Sequence, residues 1–106
     1  MPSYLDLGRP RETDVYLNRT LRLVPTTKVR DRATYVIRRA SAQAQLGEAD
    51  HAASLLAEAI PLIREAPSER NLRRVVRARQ RLPFTKIDPR ARALDAQLAT
   101  LGPDHG

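Results

Sequence analysis

Two segments of the chain repeat one pattern around a glycine. Gly8 and Gly47 occupy equivalent places 39 residues apart, and each is followed five positions later by a small residue, Thr13 or Ala52, that opens an apolar run at helical spacing. Glycine adopts the left-handed conformation without strain and so ends helices readily. Each copy therefore has the pattern of one helix ending and another beginning. A period of this length with helix signals in both copies predicts stacked helical hairpins.

The rest of the chain also favours helices. The strong helix formers Ala, Leu and Arg dominate, and long alternating β-branched segments are absent. Proline and capping residues divide the chain into the tail of one helix, at Leu5 to Leu7, and five full helices. We place these at Pro10 to Val24, Arg30 to Leu46, Ala49 to Arg64, Glu69 to Leu82, and Pro89 to Leu101. The sequence thus predicts one all-α domain over residues 1–101, a right-handed stack of antiparallel helical hairpins, with a short tail at 102–106.

Local signals set the predicted helix ends. Gly47 is the expected C-cap glycine, Ser68 the N-cap of the fourth helix, and Asp88 with Pro89 the start of the fifth. Pro61 lacks an N–H, so we expect a kink or an early end near Ile60. The apolar periodicity predicts a core of Leu17, Thr20, Leu21, Val24, Ala33, Val36, Ile37, Ala40, Ala44, Leu56, Ala59, Ile60, Ile63, Leu72, Val75, Val76, Leu82, Leu94, Leu98 and Leu101.

The sequence contains no set of residues that indicates catalysis, metal binding or cofactor binding. The chain has no cysteine, its histidines at 51 and 105 are far apart, and its four glycines are isolated. No serine has the setting of a nucleophile. The N-terminus lacks a signal peptide, and the longest apolar stretch, residues 52–63, is too short to span a bilayer. We expect a non-catalytic, cytoplasmic protein without metal or cofactor.

The glycine-centred pattern resembles a tetratricopeptide repeat over about residues 4–65. The second copy supplies Ala40, Gly47, Ala52, Leu56 and Ala59, with Arg64 in the usual place of proline; the first supplies Gly8, Thr13, Leu17, Thr20 and Pro25. The period is longer than the usual 34, and Val36 and Gln43 replace the usual aromatics. The resemblance implies paired helices that bind a protein or peptide partner.

A longer stretch, from Arg30-Asp31-Arg32-Ala33 to Asp95-Ala96-Gln97-Leu98, resembles the C-terminal part of actinobacterial XRE-type helix-turn-helix transcriptional regulators. Those proteins carry a repeat region behind their DNA-binding domain. No helix-turn-helix segment precedes the repeats in this chain, so we expect a truncated piece or a stand-alone relic. The resemblance implies a protein-interaction or sensor-type repeat module.

Positive charge is concentrated in one segment. The net charge is +7, and residues 64–92 hold 10 basic and 3 acidic groups. Within them, an arginine stripe shares one helical face and is bordered by Arg73; it comprises Arg70, Arg74, Arg77 and Arg81. The default interpretation is a solvated face in a chain with 17 Arg and 2 Lys, ahead of an acidic protein partner. Nucleic-acid binding by the helix at 69–82 is the alternative function, although aromatic residues for base stacking are missing.

Two further surfaces are candidate interfaces. One face of the second helix resembles the groove-facing side of a repeat and carries Thr34, Ile37, Ser41, Ala44 and Gln45, of which Ile37 and Ala44 are equally consistent with core. The first helix should present Val15, Tyr16 or Leu21 to a groove that residues 1–7 cover in part. Exposed apolar area of this kind marks interfaces, so we expect self-association or binding to a missing segment.

Overall fold

Five helices make up most of the chain that the computed structural model describes, residues 9–85 and 87–101. They are α1 Pro10–Leu23, α2 Val29–Gln45, α3 Ala49–Glu65, α4 Glu69–Arg81 and α5 Pro89–Ala99. No strand occurs in these two ranges. The all-α class is therefore confirmed, and every helix end lies within two residues of its predicted position. The predicted helix tail at Leu5 to Leu7, its stop at Gly8 and the tail at 102–106 lie outside the described residues.

Local chemistry accounts for the helix ends. Gly47 has φ +80, and the amides of Gly47 and Glu48 donate to the carbonyls of Ala44 (3.1 Å) and Gln43 (2.9 Å), which is a Schellman motif. The Ser68 hydroxyl accepts the Asn71 amide at 3.2 Å. These bonds satisfy backbone groups that have no partner within the helix.

The fifth helix begins in the same way. The Asp88 carboxylate accepts the Arg90 amide at 2.9 Å, and Pro89 occupies the first turn. Proline has no N–H to leave unpaired at that position, and its fixed φ suits a helix. The three predicted caps, at Gly47, Ser68 and Asp88, are thus confirmed.

Pro61 does not end α3, so of the two outcomes expected near Ile60, a kink or an early end, the early end is wrong. The helix continues to Glu65 with Pro61 exposed on its outer side. Ile60 and Ile63 are 0% and 3% exposed. Burying Ile63 contributes about 2 kcal/mol, which offsets much of the lost backbone bond and ring clash.

The helices pack around α2 and α3, which are joined by the turn at Gly47 and contact each other most extensively. α1 packs chiefly on α2, α4 packs on both central helices, and α5 packs on α3. α4 runs in the same direction as α2, because Thr34 contacts Asn71 and Gln45 lies near Leu82. α5 likewise runs with α3, since Asp50 pairs with Arg90 and Arg64 donates to Thr100.

Most of the predicted core is buried, but α4 is rotated from the predicted face. Its buried residues are Asn71, Val75 and Ala78, followed by Leu82 just beyond the helix. Leu72 and Val76, which we predicted in the core, are only half-buried. Four other predicted core residues are also half-buried rather than buried, namely Thr20, Val24, Ala44 and Leu98, as is Leu101 at the end of the described chain. The rotation of α4 decides where its arginines lie.

Enlarging either of two alanines in α3 should overpack the core. Ala52 and Ala59 are both 0% exposed, so Ala52→Leu and Ala59→Leu should each lower the free energy of unfolding by about 1–3 kcal/mol. Ala96→Leu, at an exposed position of α5, is the matched control and should change it by no more than about 0.5 kcal/mol. Urea unfolding measures all three; unchanged midpoints for both core variants would contradict close packing at Ala52 and Ala59.

Candidate partner-binding surface

The arginine stripe borders the interface between α2 and α4. Each of its members directly precedes a buried residue, since Arg70, Arg74, Arg77 and Arg81 come before Asn71, Val75, Ala78 and Leu82. Successive helical residues are about 100° apart, so the stripe lies at the margin of the packed face. Arg74 is half-buried as a result, whereas Arg70, Arg77 and Arg81 are exposed. The stripe is therefore a boundary surface, and only part of it is fully solvated.

Two arginines of the stripe join two arginines of α2 around one depression. Arg30 and Arg38 from α2 and Arg70 and Arg74 from α4 line a volume of about 720 Å³. We call this the basic concavity. Thr34 lies between the arginines of α2, and Asn71 lies between those of α4. Four positive charges thus face a common space formed by two parallel helices.

Asn71 organises the floor of the basic concavity. It is 1% exposed, and its amide nitrogen donates to the Arg30 carbonyl at 3.2 Å. Its Oδ1 lies 3.0 Å from the Thr34 hydroxyl and accepts from the Arg74 guanidinium at 3.2 Å. A buried amide whose nitrogen donates and whose oxygen accepts fixes its neighbours in place. The carboxamide therefore joins α2 to α4 and holds Arg74 in one orientation.

The arginines of the basic concavity repel one another because they carry like charges. Burial lowers the pKa of the Arg74 guanidinium below its ordinary value, and the nearby charges of Arg38 and Arg70 lower it further. The only acidic residues along the same depression are Asp31 and Glu69, both exposed. Glu69 is 3.8 Å from Arg73 and its side chain is 92% exposed, so it neutralises little of the cluster.

The predicted residues of α2 separate into three settings. Ile37 is 2% exposed and belongs to the core. Thr34 lies in the basic concavity. Ser41, Ala44 and Gln45 line a second pocket, of about 190 Å³, at the other end of the α2–α4 interface. These residues do not share one continuous groove, because α4 packs over the middle of the face.

The second pocket is apolar with a polar rim. Its walls are formed by small or aliphatic side chains, namely Ala40, Ala44, Ala52, Leu56, Ala78 and Leu82. Ser41, Gln45 and Arg81 are its polar lining residues, and Gln45 and Arg81 are exposed. The two sets of predicted site residues, on α2 and on the arginine stripe, therefore meet at both ends of the interface.

The remaining arginines of α4 point elsewhere. Arg73 and Arg77 line a shallow groove with Leu72 and Val76 on the outer side of the helix. Arg79 is paired with Asp95 through two hydrogen bonds of 2.8 and 3.0 Å, which link α4 to α5. Arg73 and Arg77 thus lie apart from the basic concavity, although they carry the same charge.

Arg30, Arg38 and Asn71 were not predicted as site residues. Arg30 and Arg38 lie on another helix, and Asn71 interrupts an arginine-rich run. The available signal was the spacing: Thr34 is 37 residues before Asn71, and Arg38 is 36 before Arg74. In parallel helices of successive hairpins, residues one period apart become neighbours. The period of 39 residues between Gly8 and Gly47 would match Arg38 with Arg77 instead of Arg74, so the glycine pattern alone does not locate the concavity.

Arg90, at the start of α5, has a structural role. Arg90 contacts the carboxylates of Asp88 (2.7 Å) and Asp50 and lies 4.2 Å from the centre of the Phe84 ring. Hydrogen bonding to Arg90 lowers the pKa of Asp88 to about 2. Because Arg90 has these acidic and aromatic partners, it fixes the start of α5 against α3 and is not available to an added anion.

The N-terminal edge is partly as predicted. Val15 and Tyr16 are 52% and 57% exposed, whereas Leu21 is buried in the core at 9%. Leu23, which was not predicted, is 81% exposed. Self-association through this edge stays a prediction.

The described residues offer neither a metal centre nor a membrane-spanning helix. In the part of the chain that the structure describes, no group of three or more His, Asp or Glu side chains could hold a metal ion. Across residues 9–85 and 87–101, no helix has both the length and the apolar character that a membrane span requires.

No protein-family model matches the chain, and comparison with curated proteins and with solved structures gives no significant match.

Proposed function

We propose that this chain is a non-catalytic helical repeat module that binds an acidic segment of a protein partner along the α2–α4 interface. The observation that carries the proposal is the convergence of arginines from two helices on one concave surface. Arg38, Arg70 and Arg81 line this interface and make no ion pair or hydrogen bond with another described residue. Their charge is available to an external anionic group.

The chemistry of the surface favours binding over catalysis. A guanidinium carries five N–H donors, has no acceptor and stays protonated at neutral pH. It therefore orients and neutralises anions, but it cannot take up a proton as a general base. The neighbouring Asn71 and Thr34 are engaged with each other and with the Arg30 carbonyl.

The arrangement of the helices supports a repeat module of the tetratricopeptide type. α4 follows α2, and α5 follows α3, in the same direction about one period further along the chain. Stacked hairpins present the first helices of successive repeats side by side on one surface. By resemblance, the module would be the partner-sensing part of a transcriptional regulator.

An acidic protein fits the surface better than a nucleic acid does. The arginine stripe spans 12 residues, from Arg70 to Arg81, or about 16 Å, which is short for a polyphosphate backbone. Asp31 and Glu69 stand on the rim of the basic concavity and would repel a continuous row of phosphates. A protein segment with separate carboxylates can avoid them. Among the residues lining this concavity there is no aromatic side chain on which bases could stack.

The test uses fluorescence anisotropy with a labelled polyglutamate peptide near physiological salt. A double variant, Arg70→Gln with Arg81→Gln, removes one exposed charge at each end of the α2–α4 interface. It should weaken binding mainly by slowing association, with folding stability unchanged or slightly higher. The matched control removes two charges from exposed positions of α1, Arg11→Gln with Arg19→Gln, and should bind almost as the parent does.

Two outcomes would overturn the proposal. Equal weakening in both double variants would show that only net charge attracts the peptide. Micromolar or tighter binding to a DNA duplex, lost in the α4 variant and retained in the α1 variant, would favour the nucleic-acid function instead.

A further inference from the structure

The four arginines of the basic concavity are not neutralised within the described chain. Arg38 and Arg70 make no ion pair or hydrogen bond there. Arg30 donates to a carbonyl, that of Pro67, at 3.3 Å, and Arg74 donates to the amide oxygen of Asn71. Neutral oxygens orient a guanidinium without balancing its charge. Elsewhere, Arg39, Arg79 and Arg90 each have a carboxylate partner.

Holding these charges together is unfavourable unless something opposes them. Arg74 is half-buried, where like charges interact more strongly than in bulk water. The lowered pKa of Arg74, caused first by burial and then by Arg38 and Arg70, reports the same conflict. An anion placed among the guanidiniums would relieve it.

The donors are also held in place before any anion binds. The Asn71 side-chain oxygen fixes Arg74 at 3.2 Å, and its side-chain nitrogen donates to the Arg30 carbonyl. The backbone amide of Asn71 donates to the Ser68 hydroxyl. Arg30 is held by Pro67 in the turn that precedes α4. Such preorganisation lowers the entropic cost of capturing a ligand.

We infer that the basic concavity binds a single phosphoryl group, either as the free ion or on a serine or threonine of the partner. A phosphoryl group carries nearly two charges and three acceptor oxygens, which several guanidinium forks can share. A carboxylate offers one charge and two oxygens, so it would leave part of the cluster unbalanced. The phosphorylated-partner form rests on the proposed function, whereas binding of the free ion does not.

The first experiment titrates inorganic phosphate into the protein and follows backbone amide shifts by NMR, with sodium chloride holding the ionic strength constant. Shifts should concentrate at Thr34, Arg38 and residues 69–74. Arg74→Gln and Arg38→Gln should each weaken phosphate binding about tenfold, since each removes a charge-assisted contact. Arg74→Lys keeps the charge without the fork and should be intermediate.

The control is Arg77→Gln, which removes the same charge from the same helix outside the basic concavity. It should change phosphate affinity less than twofold. Equal loss in Arg77→Gln and Arg74→Gln, or shifts that chloride alone reproduces, would overturn the inference. Because Arg74 is half-buried, melting midpoints are compared, and Arg38→Gln serves as the independent variant if Arg74→Gln is unfolded.

A second arm identifies the source of the phosphoryl group. A glycine–serine peptide carrying one phosphoserine is compared with the unphosphorylated peptide and with free phosphate. Tighter binding of the phosphopeptide than of free phosphate supports a phosphorylated partner, and equal binding supports the free ion. If polyglutamate binds at the α2–α4 interface but neither phosphate form binds, the inference fails and the proposed function stands. If free phosphate binds but polyglutamate does not, the phosphate site stands and the proposed function fails.

Discussion

Replacing Asn71 with alanine is expected to lower the free energy of unfolding by about 2–4 kcal/mol, more than any other polar truncation in α4. Asn71 is 1% exposed, and its carboxamide bonds to Thr34, Arg74 and the Arg30 carbonyl. The alanine variant loses the bonds of the carboxamide and leaves a cavity at the contact between α2 and α4. It also removes the hydrogen bond that orients Arg74. The affinity of the basic concavity for anions should therefore decrease together with the free energy of unfolding.

The matched control for this change is Asn18→Ala. Asn18 lies on α1, is half-buried and makes no side-chain hydrogen bond to another described residue. Its removal should cost no more than about 0.5 kcal/mol in urea unfolding. Similar losses for Asn18→Ala and Asn71→Ala would contradict the role of Asn71 as the polar link between α2 and α4.

The helix ends could be predicted because their causes are local. Gly47, Ser68 and Asp88 each act on backbone groups within a few residues, and the structure shows the expected bonds at all three. Pro61 was harder to judge, because the burial of Ile63 on the far side of the helix offsets much of a local defect. Helix ends that depend on residues within one turn can be predicted from the sequence, whereas those that depend on tertiary packing cannot.

The face of α4 shows where sequence reasoning fails. Hydropathy favours Leu72 over Asn71, but Asn71 meets the Thr34 hydroxyl and the Arg30 carbonyl from residues 37 and 41 positions away. With those partners, a buried amide is acceptable, and α4 turns its leucine partly outward. The candidate site shifts with it. The arginine stripe could be predicted, but the contribution of Arg30 and Arg38 depends on tertiary packing.

Removing the ion pair between α1 and α2 is the second change expected to have a large effect. The Arg39 guanidinium donates to the Asp14 carboxylate at 3.0 Å, and each side chain is only 16% exposed. Asp14→Ala should lower stability by about 2–3 kcal/mol, because the mostly buried charge of Arg39 then lacks a partner. The figure is below the range for fully buried pairs because water still reaches both groups.

The effect of Asp14→Ala should be confined largely to α1. This helix packs chiefly on α2, so losing the pair should speed amide hydrogen exchange in α1 while α3 and α4 keep their protection. Local opening would also expose more of the edge that carries Val15 and Leu23. Raised self-association of this variant would then connect the edge to oligomer formation.

The matched control is Glu12→Ala on the same helix. Glu12 pairs with Arg9 at 3.5 Å, but both side chains are 60% exposed, so the loss should not exceed about 0.5 kcal/mol. Replacing Arg39 with methionine in the Asp14→Ala background should recover part of the loss, since it removes the unpaired charge and keeps the volume. Equal losses for Asp14→Ala and Glu12→Ala, or no recovery in the double variant, would mean that packing alone holds α1 on α2.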